Sequence, residues 1–218
     1  MTKRNPYIGD HRTKLAKAQG FPARSVFKLE EIDRRLGLFH RVKRVLDLGA
    51  APGSWSLYAA GRVPPDGRVL AIDLKAITQG FPANVTVIQG DALSLENEVL
   101  AQHAPYDLVL SDMAPNTSGQ KSMDQLRSFG LFERAVEVAT TLGRGGSSFV
   151  GKLFMSGEFE KARTMLEQAF DKVRVLRPEG TRQQSSELFL VGQGLRRPAG
   201  TGSGSKPEAT ETSNPFGG

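Results

Sequence analysis

Three aspartates and a turn of small residues have the spacing of a nucleoside-binding site. Asp47 lies in the apolar run Val45–Leu48, which breaks into Gly-Ala-Ala-Pro-Gly at positions 49–53. Gly49 and Gly53 would let the backbone approach a ligand closely, because no Cβ stands in the way. Asp73 and Asp91 each follow a further apolar run. A strand, a tight turn and a helix in this order are typical of nucleotide-binding α/β sheets.

The same residues narrow the choice of ligand. The turn lacks the middle glycine of the dinucleotide pattern and the Gly-Lys-Ser/Thr of a P-loop. Asp47 favours a ligand with positive charge near the turn, which fits the sulfonium of S-adenosylmethionine and not a diphosphate. Asp73 could then accept hydrogen bonds from ribose hydroxyls, and Asp91 could contact the adenine amino group. Each acid alone could equally be a turn or capping residue; three in register favour a bound nucleoside.

A second group of charged residues follows the later apolar runs. Asp112 ends the fourth run, and Lys152 lies in the largely apolar segment Ser148–Phe154. Because a buried charge is costly unless it is paired, we expect these two to pair, either as a plain ion pair or as part of a reactive site. Glu187 and Lys28 could extend this cluster, although sequence spacing does not determine whether Lys28 reaches it.

The elements that must position these residues alternate between strands and helices. This alternation predicts an α/β fold in which a mostly parallel sheet carries helices on both faces and binds ligands at the carboxyl ends of its strands. The last two strands are close in sequence and predict an antiparallel pair at one edge. The predicted strands are 44–48, 68–73, 85–89, 106–111, 148–154, 172–177 and 187–191. The first predicted helix starts near Ser25 and ends at Gly37. The other predicted helices are 54–60, 95–102, 125–142 and 159–170, and residues 117–124 are predicted to form a mobile loop.

Length and composition limit the other possibilities. The chain of 218 residues predicts one domain at 23–194, after a basic arm at 1–22 and before a disordered Gly/Ser/Pro/Thr-rich tail at 195–218. With no cysteine and three histidines, we expect no disulfide and no metal site. We also expect a cytoplasmic protein, because the sequence has neither a secretory signal nor a membrane-spanning run.

Positive charge is concentrated near the N-terminus. Residues 1–44 hold twelve Lys/Arg and four Asp/Glu, whereas the rest of the chain holds seventeen and nineteen. A basic arm on a near-neutral domain is typical of a protein that binds a polyanion such as RNA. A solvated basic face is the alternative.

Together these motifs resemble the FtsJ-type ribose 2′-O-methyltransferases, in particular the bacterial members that act on large-subunit ribosomal RNA. The resemblance rests on Arg24-Ser-Val-Phe-Lys-Leu-Glu-Glu-Ile32, Asp47-Leu-Gly-Ala-Ala-Pro-Gly-Ser-Trp55, Ser111-Asp-Met-Ala-Pro-Asn116, Lys152-Leu-Phe154 and Ser186-Glu187. It implies a Rossmann-like class I S-adenosylmethionine-dependent methyltransferase fold with a seven-stranded sheet. The chain departs from the family pattern at two places. Ser54 stands where the family often has glycine, and the segment 181–186 is less basic than is usual in the family.

The resemblance also implies roles for individual residues. The catalytic tetrad would be Lys28, Asp112, Lys152 and Glu187, and cofactor contacts would come from Gly53, Trp55, Asp73, Asp91 and Asp112. Lys152 would act as the base, or as the group that orients an oxygen lone pair toward the methyl group, and no metal is needed.

The expected substrate is the ribose 2′-hydroxyl of a uridine in 23S ribosomal RNA, in the A loop of an assembled 50S particle, and the expected state is a monomer. Alternatives are a 2′-O-methyltransferase of another RNA, such as transfer RNA or an mRNA cap, and a non-catalytic RNA-binding ribosome assembly factor. A base N-methyltransferase is disfavoured, because Asp112-Met-Ala-Pro115 differs from the Asn/Asp-Pro-Pro-Tyr motif. A nicotinamide dehydrogenase is disfavoured by the missing middle glycine and by Asp47.

Overall fold

A computed structural model describes residues 7–116, 118–179 and 187–197. Within these ranges the chain forms six helices and seven strands. The helices are α1 (Tyr7–Ala18), α2 (Val26–Leu36), α3 (Ser54–Arg62), α4 (Asn97–Leu100), α5 (Lys121–Leu142) and α6 (Phe159–Ala169). The strands are β1 (Arg44–Leu48), β2 (Arg68–Asp73), β3 (Val85–Gln89), β4 (Tyr106–Ser111), β5 (Gly143–Phe154), β6 (Phe170–Leu176) and β7 (Glu187–Leu195).

The strands form one sheet in the order β3-β2-β1-β4-β5-β7-β6. The neighbours from β3 to β5 are parallel, and β7 runs antiparallel to both β5 and β6. The predicted α/β fold, with its mostly parallel sheet and antiparallel edge, is therefore confirmed. Because β1 to β5 are parallel, their carboxyl ends meet at one edge of the sheet, where the sequence predicts the site.

Each face of the sheet is covered by its own hydrophobic cluster. One cluster joins residues of α1, α2 and α3 to one face of the strands, including Val150 and Phe189. The other joins α4, α5 and α6 to the opposite face, including Phe149 and Leu188. Alternation along each strand sends successive side chains to opposite faces, so Lys152 lies on the same face as Val150 and α2.

The predicted bounds of two helices are wrong. The helix expected at 95–102 is limited to α4, because Ser94 and Leu95 already donate their backbone N–H groups to the carbonyl of Asp91 in a tight turn. The helix expected from 125 begins four residues earlier. Its first turn is fixed by Asp124, whose carboxylate accepts hydrogen bonds from the backbone N–H and hydroxyl of Ser118 at 2.9 and 2.8 Å.

The basic N-terminal segment contains a helix that contributes to the hydrophobic core. Ala16 of α1 is fully buried in the same cluster as α2 and α3. The chain then turns at Gly20, whose φ is +83°, and Phe21 donates its N–H to the carbonyl of Ala16. The exposed side chains of this helix include Lys17. Among the residues that the structure describes, no helix combines the length and the hydropathy needed to cross a membrane.

Parts of four sequence predictions lie outside the described residues. They concern residues 1–6 of the arm, Thr117 of the loop at 117–124, the segment 180–186, and the tail from residue 198 onward. The antiparallel strand β7 extends to Leu195, because its residues pair with β5 and β6 well beyond the predicted end at 191.

Candidate active site

The turn between β1 and α3 needs glycine at both predicted positions. Gly49 has φ +77°, and a Cβ there would lie 2.7 Å from the Met113 side chain. Gly53 has φ +108°, and a Cβ there would lie 2.7 Å from the ring of Phe81. Positive φ angles and such close contacts both exclude larger residues. The turn is held to β2 by hydrogen bonds from the N–H groups of residues 49 and 50 to the carbonyl of Ile72.

Beside this turn, a cavity of about 360 Å³ opens at the carboxyl ends of β1 to β4. This volume lies in the range of small-molecule sites. Asp73, Asp91 and Asp112, each predicted from its place after a strand, all line it together with Gly49. Sequence reasoning did not assign the apolar lining of this cavity. Most of these residues lie in loops without periodicity, and one, Leu131, lies on α5: Leu74, Ala92, Leu93, Met113, Ala114, Pro115 and Leu131.

Two of the acids are fixed by backbone hydrogen bonds. The carboxylate of Asp73 accepts the N–H of Ala51, in the glycine turn, and the N–H of Lys75, each at 2.8 Å. Asp91 accepts the N–H of Leu93 at 3.0 Å. Asp73 therefore joins the end of β2 to the turn after β1, and both carboxylates face the cavity in set positions.

Arg134 of α5 supports the loop that carries Asp91. Its guanidinium donates to the carbonyls of Ala92 and Leu95, both at 3.1 Å, and its side chain is only 15% exposed. Five N–H donors in a rigid plane suit a residue that binds several carbonyls at once. No sequence pattern indicated this arginine, because its partners lie about 40 positions away on another element.

Asp47 lies beneath the turn and not in the lining of the cavity. It is fully buried, and Ser56 donates to its Oδ2 at 2.5 Å, while its Oδ1 accepts no hydrogen bond from the described residues. Burial raises the pKa of Asp47 to about 7, against the opposite effect of the Ser56 hydrogen bond; the charges of Asp112 and Asp73 raise it further. Around neutral pH this carboxyl is therefore divided between its protonated and charged forms.

Trp55 is part of the hydrophobic core. Its side chain is 2% exposed, its ring lies 5.7 Å from that of Phe189, and its indole N–H donates to the carbonyl of Ser25 at 2.9 Å. Neither Trp55 nor Gly53 belongs to the cavity lining. With its ring turned into the core, Trp55 can contact a ligand in the cavity only through its backbone.

The expected pair of Asp112 and Lys152 is present at the edge of the same cavity. Lys152 donates to Asp112 Oδ1 at 2.8 Å and also to the backbone carbonyl of Asp112. The side chain of Lys152 is 7% exposed and that of Asp112 is 20% exposed. Asp112 is itself held to β1, because its N–H donates to the carbonyl of Leu48 at 3.1 Å. A buried ammonium group thus lies beside an acid that faces the cavity.

Lys28 and Glu187 form a second ion pair on the same face of the sheet. The Lys28 ammonium donates to Glu187 Oε1, and it lies 5.7 Å from the centroid of the Phe189 ring. Phe189 is the register partner of Lys152, and register partners carry their side chains on one face, a few ångströms apart. The fold therefore brings the four predicted residues to one edge of the sheet as two ion pairs.

Comparison with known proteins identifies the family. A family model described as FtsJ-like methyltransferase matches residues 21–195. The chain belongs to the FtsJ-like methyltransferases. A protein of Sorangium cellulosum named Ribosomal RNA large subunit methyltransferase E is 62% identical over 90% of this chain and 92% of its own length. A protein of the same name from Syntrophobacter fumaroxidans is 43% identical over 87% of this chain and 98% of its own.

Solved structures place the fold with other methyltransferases. A chain described as a ribosomal RNA methyltransferase of Plasmodium falciparum superposes with a TM-score of 0.68 at 24% identity, covering 79% of this chain and 97% of that one. The N-methyltransferase NodS of Bradyrhizobium japonicum matches with a TM-score of 0.54 at 16% identity, covering 78% and 97%. The fold of this FtsJ-like methyltransferase is thus shared with chains described as a ribosomal RNA methyltransferase and as an N-methyltransferase, so the fold alone does not determine the chemistry.

The composition of that edge favours proton transfer and charge recognition. In the described part of the chain, no group of three or more His, Cys, Asp or Glu side chains is arranged to hold a metal ion. The site offers two ammonium groups and two carboxylates next to a cavity with further acids. Such a set can hold a cationic ligand, orient a hydroxyl group and accept a proton.

Proposed function

We propose that this FtsJ-like methyltransferase uses S-adenosylmethionine to methylate the ribose 2′-hydroxyl of a uridine in large-subunit ribosomal RNA, in the A loop of the 50S particle. The printed names of the relatives support a ribosomal RNA substrate, which agrees with the expected cytoplasmic location. The observation that carries the proposal is the Lys152–Asp112 pair at the edge of a cavity that also holds Asp73 and Asp91.

The residues around the cavity fit S-adenosylmethionine. The ligand's hydroxyl and amino groups would find acceptors in Asp73 and Asp91, and its apolar parts would lie between Leu74 and Leu93, which are 63% and 51% exposed. The close packing of Gly49 against Met113 leaves room only for a bare backbone beside the ligand. When bound, S-adenosylmethionine supplies a methyl group that its sulfonium has already activated.

The tetrad would supply the remaining requirements of the reaction. Lys152 is the candidate to accept the proton of the 2′-hydroxyl, for which it must be a neutral amine, or to direct the oxygen lone pair as an ammonium group; in both cases Asp112 fixes the position of the Lys152 nitrogen through two hydrogen bonds. Lys28 and Glu187 would hold the ribose from the α2 side. The main contribution of the protein would be alignment of the reacting atoms, which can lower a barrier by several kcal/mol, about 7–11 in favourable cases.

The basic N-terminal segment would bind the RNA backbone. The exposed basic residues of this segment include Lys17. Phosphate contacts position a nucleic acid without reading its sequence, and the resulting affinity falls steeply with salt. The same surface would also suit the second candidate function, a non-catalytic RNA-binding assembly factor, which would need this segment and not the tetrad.

One experiment separates the candidates. Ribosomal RNA from cells with the gene, without it, and with a Lys152→Ala allele would be mapped for 2′-O-methylation. We expect one uridine of the 23S RNA to lose its methyl group in the deletion and in the Lys152→Ala strain. Normal methylation in the deletion strain would exclude this substrate. Normal methylation in the Lys152→Ala strain would remove Lys152 from the reaction, and methyl loss on another RNA would redirect the proposal.

A further inference from the structure

Ser54, the first residue of α3, makes a contact that links two parts of the site. Ser54 is buried, with only 1% of its surface exposed. Its hydroxyl donates to the carbonyl of Ala23 at 3.0 Å and accepts the N–H of the same residue at 2.8 Å. One buried hydroxyl thus forms hydrogen bonds with both the backbone N–H and the backbone carbonyl of Ala23, which lies 31 positions earlier in the chain.

The next residue of α3 makes a parallel contact. The indole N–H of Trp55 donates to the carbonyl of Ser25 at 2.9 Å. That carbonyl also accepts the backbone N–H of Lys28 at 3.1 Å. The first turn of α2, which carries Lys28, therefore rests on the first turn of α3, and the Ser25 side chain supplies no cap of its own.

The other end of this connection is the glycine turn. Gly53, whose backbone conformation the turn requires, directly precedes Ser54 and is the N-cap residue of α3. A continuous path of backbone and hydrogen bonds thus runs from the turn beside the cavity, through Ser54, to the helix of Lys28. The path does not involve the Lys152–Asp112 pair, in which Lys152 lies on β5 and Asp112 directly follows β4.

We propose that Ser54 is a positioning residue for Lys28: it holds the start of α2 against the cofactor turn, so that the Lys28 ammonium meets Glu187 at the edge of the cavity. The inference rests on the proposed function, in which Lys28 holds the substrate ribose.

The first test compares Ser54→Ala with a matched control. Tyr106→Phe also removes one buried hydroxyl, which donates to the Leu100 carbonyl at 2.6 Å, but at the opposite end of the sheet. Both variants should lower Tm by similar amounts. Only Ser54→Ala should reduce methyl transfer to ribosomal RNA, by about tenfold at saturating substrates, while S-adenosylhomocysteine affinity stays within about twofold. Should the alanine variant not fold, Ser54→Gly takes its place.

A double-mutant cycle tests whether Ser54 acts through Lys28. Lys28→Met alone should lower turnover, and adding Ser54→Ala to it should lower turnover little further, because the second change acts on a side chain already lost. Additive losses would overturn the inference, as would full turnover in Ser54→Ala. A loss of S-adenosylhomocysteine affinity equal to the loss of turnover would also overturn it, since Ser54 would then support only the cofactor turn.

Hydrogen exchange separates this inference from the proposed function. In Ser54→Ala the amides of residues 23–28 should exchange faster than in the wild type, whereas Tyr106→Phe should leave them unchanged. Trp55 is the single tryptophan of the chain, so its fluorescence reports the same contact without any turnover. Absence of methyl transfer by the wild type would contradict the proposed function alone. Unchanged exchange and fluorescence in Ser54→Ala would contradict the role of Ser54 alone.

Discussion

Two groups of residues at the cavity differ in what holds them in position. We call the glycine turn with Asp73 and Asp91 the cofactor side, and the two ion pairs Lys152–Asp112 and Lys28–Glu187 the lysine side. On the cofactor side, Asp73 and Asp91 accept backbone N–H groups, and the turn depends on Gly49 and Gly53. On the lysine side, side chains from distant elements pair with each other across 40 positions in one pair and 159 in the other.

This difference indicates that the cofactor side sets the shape of the binding site and that the lysine side carries the reacting groups. Backbone hydrogen bonds fix the form of the cavity, as a binding site for a defined small molecule requires. Ion pairs between side chains can exchange partners when a substrate hydroxyl arrives. We therefore expect changes on the cofactor side to alter affinity, and changes on the lysine side to alter turnover.

The strongest test of this division is Lys152→Ala. Removing the buried ammonium should lower methyl transfer by at least about 10³-fold, in line with the loss of a general base or of its orienting charge. S-adenosylhomocysteine affinity, measured by calorimetry, should stay within about threefold. Lys161→Ala, on the exposed surface of α6, is the control and should keep wild-type turnover. A variant without Lys152 that still methylates at a substantial rate would break the comparison.

The same division explains which features the sequence predicts. The strands and the three aspartates Asp47, Asp73 and Asp91 follow one another closely in the sequence, so hydrophobic runs and the residues in or after them indicate their positions. The pairing of Lys28 with Glu187 depends on how α2 packs across β7, and neither spacing nor composition determines that packing. Charge alone suggested these two residues as possible extensions of the Asp112–Lys152 cluster, and only the family resemblance placed both in one tetrad. Ser54 and Arg134 act through backbone groups of distant loops, which leave no periodic signal.

Asp47 provides a pH test on the cofactor side. Its pKa is raised from 3.8 to about 7 by burial, so the folded state holds a proton that the unfolded chain releases. The free energy of unfolding should therefore fall as pH rises from about 4 to about 7, by at most about 1.4 kcal/mol per pH unit, and level off above pH 7.

Urea unfolding at pH 5, 6, 7 and 8 measures this contribution as the difference between the wild type and Asp47→Asn, which cannot titrate. The stability of the wild type relative to the variant should decrease toward pH 7. A difference that is constant with pH would mean that Asp47 keeps an ordinary carboxyl titration in the folded protein.

Asp73→Asn should weaken the cofactor side without affecting the lysine side. The amide keeps the size of the carboxylate but has one acceptor oxygen, so it cannot serve both Ala51 and Lys75. We expect S-adenosylhomocysteine to bind about 10- to 100-fold more weakly, as for the loss of charge-assisted hydrogen bonds. Turnover at saturating S-adenosylmethionine should change much less. Asp66→Asn, at an exposed turn, is the control, and an equal loss of turnover at saturation would contradict the division.

The smallest expected effect tests how far the support of the cofactor side extends. Arg134→Met keeps an apolar stem over the loop after β3 but leaves the carbonyls of Ala92 and Leu95 without this donor. Because the loop carries Asp91, S-adenosylhomocysteine affinity should fall by about three- to tenfold, corresponding to about one hydrogen bond. Turnover at saturation should remain that of the wild type. Arg163→Met, an exposed arginine of α6, controls for the lost charge. If Arg134→Met lowers turnover at saturation and spares affinity, the loop acts on the reacting groups, and the cofactor side would not be limited to binding.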